Sequence, residues 1–208
     1  MGKRDDNKKH KLDALLAAGI AAFRAEGYER ASIERIAREA GVARGTFYLY
    51  FPDKLALFET VLDQVMVPVL TVLDAVVVRA AEVRDRGELL AAYQGMAVQL
   101  ALVAAAHRPV VEIAFREARV PGEAGDALRV REEAMFDRIH RFTRTAAERG
   151  LIDARNPDLV GYVVFGAVER LFYEDIRGTP LGPPLAIVED VLSMFGRGLG
   201  LLPEPRSV

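Results

Sequence analysis

Apolar residues return every three or four positions along almost the whole 208-residue chain. That period belongs to helices, since strands alternate every second residue. Leu12, Leu15, Leu16, Ile20 and Phe23 form one stripe, with Gly27 behind it as a stop. Ile33, Ile36, Ala37 and Ala40 form a second, opened by Ser32 as a cap and ended by Gly41. A third segment, 44–51, stops at Pro52, and Asp53 caps a longer helix through Leu55, Phe58, Leu62 and Met66. Runs of alternating Val, Ile and Thr are missing, as are the Asn-Gly and Asp-Gly dipeptides of hairpins. Further helices are expected near 54–83, 88–106, 108–119, 124–149, 157–177 and 184–199, the fifth of these opened by the capping sequence Asn156-Pro157-Asp158. The expectation is an all-α chain of about nine helices: a three-helix unit over 1–54, a larger helical body over 55–208, and mobile ends at 1–8 and 201–208.

Charge is uneven. The formal net is only −2, yet residues 1–54 carry 11 basic and 8 acidic side chains against 17 and 22 in the remainder. All five lysines (Lys3, Lys8, Lys9, Lys11 and Lys54) lie in the first part. A basic module on an acidic body is the pattern expected of a segment that meets a polyanion. Cysteine is absent, which removes disulfides, thiol catalysis and Cys-ligated metals. The three histidines, His10, His107 and His140, never pair at a ligand spacing such as HxxxH. No catalytic residue, metal site or cofactor is therefore expected. The basic, polar start lacks an apolar signal region. The longest nearly uncharged apolar stretches, 96–106 and 159–168, fall short of the roughly 18–20 residues that span a bilayer. A cytoplasmic protein with no membrane partner is expected.

Segment 44–51 carries the most information. At about 100° per residue, Phe47 and Phe51 share one side, while Gly45, Tyr48 and Leu49 face away with Thr46 at the flank. A glycine, a phenol and an aliphatic side chain, led in by Arg44, make an odd solvent face. Glycine costs a helix about 1 kcal/mol and lets a partner approach the backbone closely. Tyr48 and Leu49 suit thymine methyls; Arg44, Thr46 and Tyr50 suit phosphates or base edges.

The pattern Phe23…Gly27-Tyr28…Ser32-Ile33…Ile36-Ala37…Ala40-Gly41-Val42…Gly45-Thr46-Phe47-Tyr48…Tyr50-Phe51…Lys54…Leu57 resembles the N-terminal signature of TetR-type bacterial transcriptional regulators, over residues about 10–58. The resemblance implies that 33–40 and 44–51 form a helix-turn-helix with 44–51 in the major groove of double-stranded DNA. It assigns Thr46, Tyr48 and Tyr50 to DNA contact, and Ser32 and Lys54 to phosphates. Two positions depart from the family pattern. Ala43 stands where a capping Ser or Thr is common, and Tyr50 where His is common.

The body's helices are apolar over wide arcs with sparse polar insertions. Each insertion is by itself more readily a satisfied core residue than a ligand contact. Together they suit a small-molecule cavity of apolar walls and few anchors. The side chains expected there are Phe58, Leu62, Met66, Tyr93, Met96, Phe115, Phe136, His140, Tyr162 and Phe165, with Arg116 as anchor for an acidic head group. The last two helices present Val160, Val163, Val164, Ala167, Val168, Leu171, Leu185, Val188, Leu192 and Phe195. Terminal helices this apolar bury against their own chain or meet a copy of themselves; the resemblance favours a homodimer through a four-helix interface. The expected function is a homodimeric, ligand-responsive repressor released from a pseudo-palindromic operator by a small hydrophobic effector. The alternatives are a constitutive DNA-binding regulator and, remotely, an all-α enzyme.

Overall fold

The computed structural model describes residues 3–202. Among these residues the chain forms nine helices and no strand. They are α1 (Lys3–Glu26), α2 (Ile33–Glu39), α3 (Arg44–Phe47), α4 (Lys54–Glu82), α5 (Arg86–Ala106), α6 (Arg108–Glu117), α7 (Glu123–Glu148), α8 (Pro157–Ile176) and α9 (Pro184–Gly198). From α4 onward each helix starts and ends within two residues of its expected bounds, because local chemistry marks the ends. Asp53 Oδ1 accepts from the Ala56 N–H at 2.8 Å, and Asn156 Oδ1 from Leu159 N–H at 3.4 Å, ahead of Pro157. α1 already begins at Lys3, so residues 3–8 continue a helix rather than forming the expected mobile end.

The chain divides into two compact units. One runs through Val67 and takes in His107–Arg131; the other comprises Pro68–Ala106 and the residues from Glu132 on. The first is larger than the expected 1–54 segment because three short helices cannot bury their own apolar faces. The N-terminal end of α4, α6 and the start of α7 complete its core. There Phe23, Tyr28 and Phe58 pack ring against ring, with centroids 5.0–5.9 Å apart, beside Leu15, Ile36, Phe47, Leu57, Leu62 and Ile113, all buried. The second unit gathers Val76, Ala80, Val83, Leu89, Phe142, Ala146, Leu151 and Ile152, and α5 packs on α9.

One expectation is corrected. α4 and α5 each hold an 18-residue window apolar enough to cross a membrane by length and composition; counting only uncharged runs missed them. In α4, Asp63 and Asp74 are spread along the helix and answered by α7, Asp63 by Arg131 at 2.9 Å and Asp74 by Arg138 at 2.8 Å. Charges paired in this way along a helix fit a protein core better than lipid.

Candidate nucleic-acid interface and ligand groove

α2 and α3 are joined by the turn through Gly41, whose φ of +69° is open to glycine and strained for other residues. Ser32 Oγ accepts from the Arg35 N–H at 3.3 Å and so caps α2. α3 is shorter than the expected 44–51. Regular helix ends at Phe47, after which Leu49 N–H bonds to Thr46 O and Tyr50 N–H to Phe47 O, both three residues back. Such bonds tighten a final turn into 3₁₀ form, and Pro52, with no N–H, lies just beyond. Ala43 offers no side-chain cap. Ala43→Ser is therefore expected to stabilise the first unit by about 1 kcal/mol, read as a higher denaturant midpoint with an unchanged slope.

The expected two faces of this segment are present. Phe47 and Phe51 are buried, whereas Tyr48 is 44% and Leu49 80% exposed. A side chain added at Gly45 would meet open space, and Thr46 sits half-buried at the flank. The charged and polar neighbours are already engaged. Arg44 pairs with Glu34 at 2.8 Å and points a second guanidinium nitrogen at the Tyr48 hydroxyl, 3.5 Å away. Tyr50 donates its hydroxyl to Lys8 O at 3.2 Å, tying the segment to α1. Lys54 turns inward: its ammonium donates to the carbonyls of Tyr28, Glu29 and Ala31 at 2.8–3.2 Å and lies 4.3 Å from the centre of the Tyr28 ring. Tyr28 in turn donates its hydroxyl to Glu123 at 2.8 Å; burial first, then that carboxylate, push its phenol well above the usual value.

The residues expected around a ligand do not gather in one place. Phe58 and Leu62 are spent on the first unit's core. Arg116 is not a free anchor: it donates to the carbonyls of Phe23 and Arg24 at the end of α1 and to buried Glu117 at 3.0 Å. Glu117 also takes the Tyr28 N–H at 3.3 Å. Met66 and Phe115 also fall in the first unit, and Tyr93 and Met96 pack on the second unit's core. The Tyr93 hydroxyl is buried without a hydrogen-bond partner, and burial raises its pKa.

Four of the expected side chains do converge. Phe136 and His140 of α7 and Tyr162 and Phe165 of α8 line a groove of about 650 Å³ in the second unit. Ring centroids lie 4.6 Å apart for Phe136–Tyr162, 5.1 Å for Phe136–Phe165 and 5.0 Å for His140–Tyr162. The two helices approach closely because Gly161 lacks a side chain; a Cβ there would fall 2.7 Å from Ile139. Gly161 therefore serves its own unit, whereas Gly166 faces open space. Glu132, Glu133, Asp137 and Glu169 share the groove and were missed as a set. Their signal was a three-and-four spacing with the rings: 133, 136, 137 and 140 on one helix, 162, 165, 166 and 169 on the other.

A second, apolar groove of about 370 Å³ runs between α8 and α9, with Leu159, Val160, Val163, Met194 and Phe195 in its lining. Leu159, Val163, Val168 and Met194 are substantially exposed. Val164, Ala167, Leu171, Val188, Leu192 and Phe195 are half-buried, and Leu185 lies outside the described residues.

A short capped helix, a glycine turn and a second short segment with one buried aromatic face define a helix-turn-helix unit. Residues 15–61 match the model for bacterial regulatory proteins of the tetR family, and the N-terminal unit is that of this family. A 56-residue stretch is 39% identical to the HTH-type transcriptional regulator YvdT of Bacillus subtilis, covering 27% of this chain and 29% of that protein. The chain spans less than a third of the length of the curated relatives it matches. The fold is shared over far more. SmeT, the repressor of the Stenotrophomonas maltophilia multidrug efflux pump SmeDEF, superposes with a TM-score of 0.71 at 20% identity, over 94% of this chain and 97% of that one. The transcriptional regulator FadR from Bacillus subtilis, solved with stearoyl-CoA, gives 0.72 at 18% identity, over 89% and 98%.

Proposed function

We propose that this chain is a homodimeric, cytoplasmic transcriptional regulator that grips a pseudo-palindromic operator through residues 44–51 and is released by a small effector. DNA binding is assigned to 1–54, and effector binding and dimerisation to 55–208. The observation that carries the reading is the exposed face of Gly45, Tyr48 and Leu49 over buried Phe47 and Phe51, in a unit of tetR-family sequence. Arg44, Thr46, Tyr48 and Leu49 meet the major groove, and Ser32 sits at the phosphate-facing start of α2. Tyr50 and Lys54, given to DNA by the resemblance, hold the segment in place in the free chain through Lys8 and the 28–31 loop. A two-fold dimer suits this task by presenting two such segments about one helical turn of DNA apart. The effector reading is supported by the aromatic groove between α7 and α8 and by the fold shared with SmeT, which has been solved in complex with triclosan, and with FadR, solved with stearoyl-CoA.

The test is fluorescence anisotropy with a palindrome taken from the DNA flanking the gene. Tyr48→Ala and Leu49→Ala, both on the surface, are expected to fold normally by circular dichroism. Each should lose about 1–3 kcal/mol of operator affinity, roughly 5- to 150-fold, and discriminate less between operator and random DNA. Wild-type binding by both folded variants would reject 44–51 as the reading element.

A further inference from the structure

We propose that the groove between α7 and α8 binds a lipophilic organic cation, a bulky ammonium or phosphonium carrying aromatic or aliphatic groups. The proposal rests on the effector reading above and gives that effector its chemical class. Two features converge in the groove. Phe136, His140, Tyr162 and Phe165 form a continuous set of ring faces, an apolar wall that also attracts positive charge through its π-electrons. Glu132, Glu133, Asp137 and Glu169 stand around those rings, and neither lysine nor arginine is among the lining residues. Asp137 also answers Arg141 at 3.1 Å on the exposed side, so Glu132, Glu133 and Glu169 carry most of the field into the groove. Its volume of about 650 Å³ suits a drug-sized molecule. His140 adds a ring nitrogen, Nε2, that is buried without a hydrogen-bond partner. Such a lining favours a weakly hydrated cation, which loses little by leaving water and gains both ring faces and carboxylates. An anionic ligand of the same shape meets the same rings and is repelled by the acids. Arg116, the expected anchor for an acidic head group, belongs to the other unit and is consumed at the end of α1.

Tetraphenylphosphonium and tetraphenylborate separate charge from shape, being nearly isosteric ions of opposite sign. In calorimetric titrations of the full chain, tetraphenylphosphonium is expected to bind at one site per chain, at least about tenfold more tightly than tetraphenylborate. Glu132→Gln/Glu169→Gln should weaken the cation about tenfold without weakening the anion. Phe136→Ala should weaken the cation as well, since it removes the central ring. Circular dichroism and sedimentation of each variant report fold and assembly. Equal or tighter binding of tetraphenylborate, or a charge-neutral variant that holds the cation as well as wild type, overturns the proposal. So does a groove occupied by a second copy, which would appear as Phe136→Ala losing the dimer while keeping its cation affinity. Operator binding, followed in parallel, separates the two readings. A chain that binds operator but not the cation keeps the regulator and loses this site. A chain that binds the cation in the groove but no operator does the reverse.

Discussion

Phe58→Ala is expected to lower the stability of the first unit by about 3–5 kcal/mol, a large share of the roughly 5–15 kcal/mol that holds a typical domain. Phe58 is fully buried, with Phe23 edge-on at 5.3 Å and Tyr28 at 5.0 Å. Removing the ring leaves a hole between α1, α4 and the 28–31 loop that none of them closes without losing other contacts. The loss reaches function because that loop's carbonyls hold Lys54, and Lys54 begins α4 behind the recognition segment. Urea unfolding followed by circular dichroism checks the figure. Phe58→Leu, which keeps most of the volume, should cost clearly less than the alanine variant. A midpoint unchanged in Phe58→Ala would mean that this ring is not the keystone of the N-terminal core.

Val163→Asp and Met194→Asp are expected to abolish tight operator binding without unfolding the chain. Both positions lie on the α8–α9 groove, and in the isolated chain Met194 is 71% and Val163 48% exposed. A carboxylate is harmless there until a second copy covers it, when it is buried without a partner at a cost of several kcal/mol. Dimer dissociation should rise by two orders of magnitude or more, since each 1.4 kcal/mol is a factor of ten. Sedimentation equilibrium reads this directly. Anisotropy with the operator should fall in step, since a monomer reaches only one half-site. A tight, DNA-competent dimer from both variants would place the interface elsewhere. Leu159 and Met194 join this face although periodicity alone did not select them. Both stand just outside the stripe drawn through Val160, Val163, Leu192 and Phe195.

What was legible in the sequence was local. Ser32, Asp53 and Asn156-Pro157 mark helix starts because a cap bonds within three residues of itself, so no knowledge of the fold is needed to read it. The division of 44–51 into a buried and an exposed face was equally local, though its second half is a tight turn and not the full helix its periodicity implied. What failed was the destination of long side chains. Arg116, Lys54 and Tyr50 each reach partners 42 or 92 residues away or, for Lys54, in a loop over twenty residues back. No spacing rule carries that information. Phe58 and Leu62 were assigned to a cavity because an apolar stripe does not say which unit it serves. The ligand groove was half seen: its rings stood out as aromatics, whereas its carboxylates were discounted as solvated charges until α7 and α8 were set side by side.

The pairing of Arg44 with Glu34 bears on how such a protein searches a chromosome. Much of the grip of any protein on random DNA comes from cations that displace condensed counterions from the phosphates. An arginine that already faces a carboxylate arrives as part of a nearly neutral couple and displaces little. Away from its target, the recognition segment therefore holds DNA lightly and leaves it readily, which favours fast scanning by hopping. Only a site where the guanidinium finds a base edge or a well-placed phosphate compensates it for leaving Glu34. The acidic residue on α2 thus raises the contrast between right and wrong sequences without touching either one.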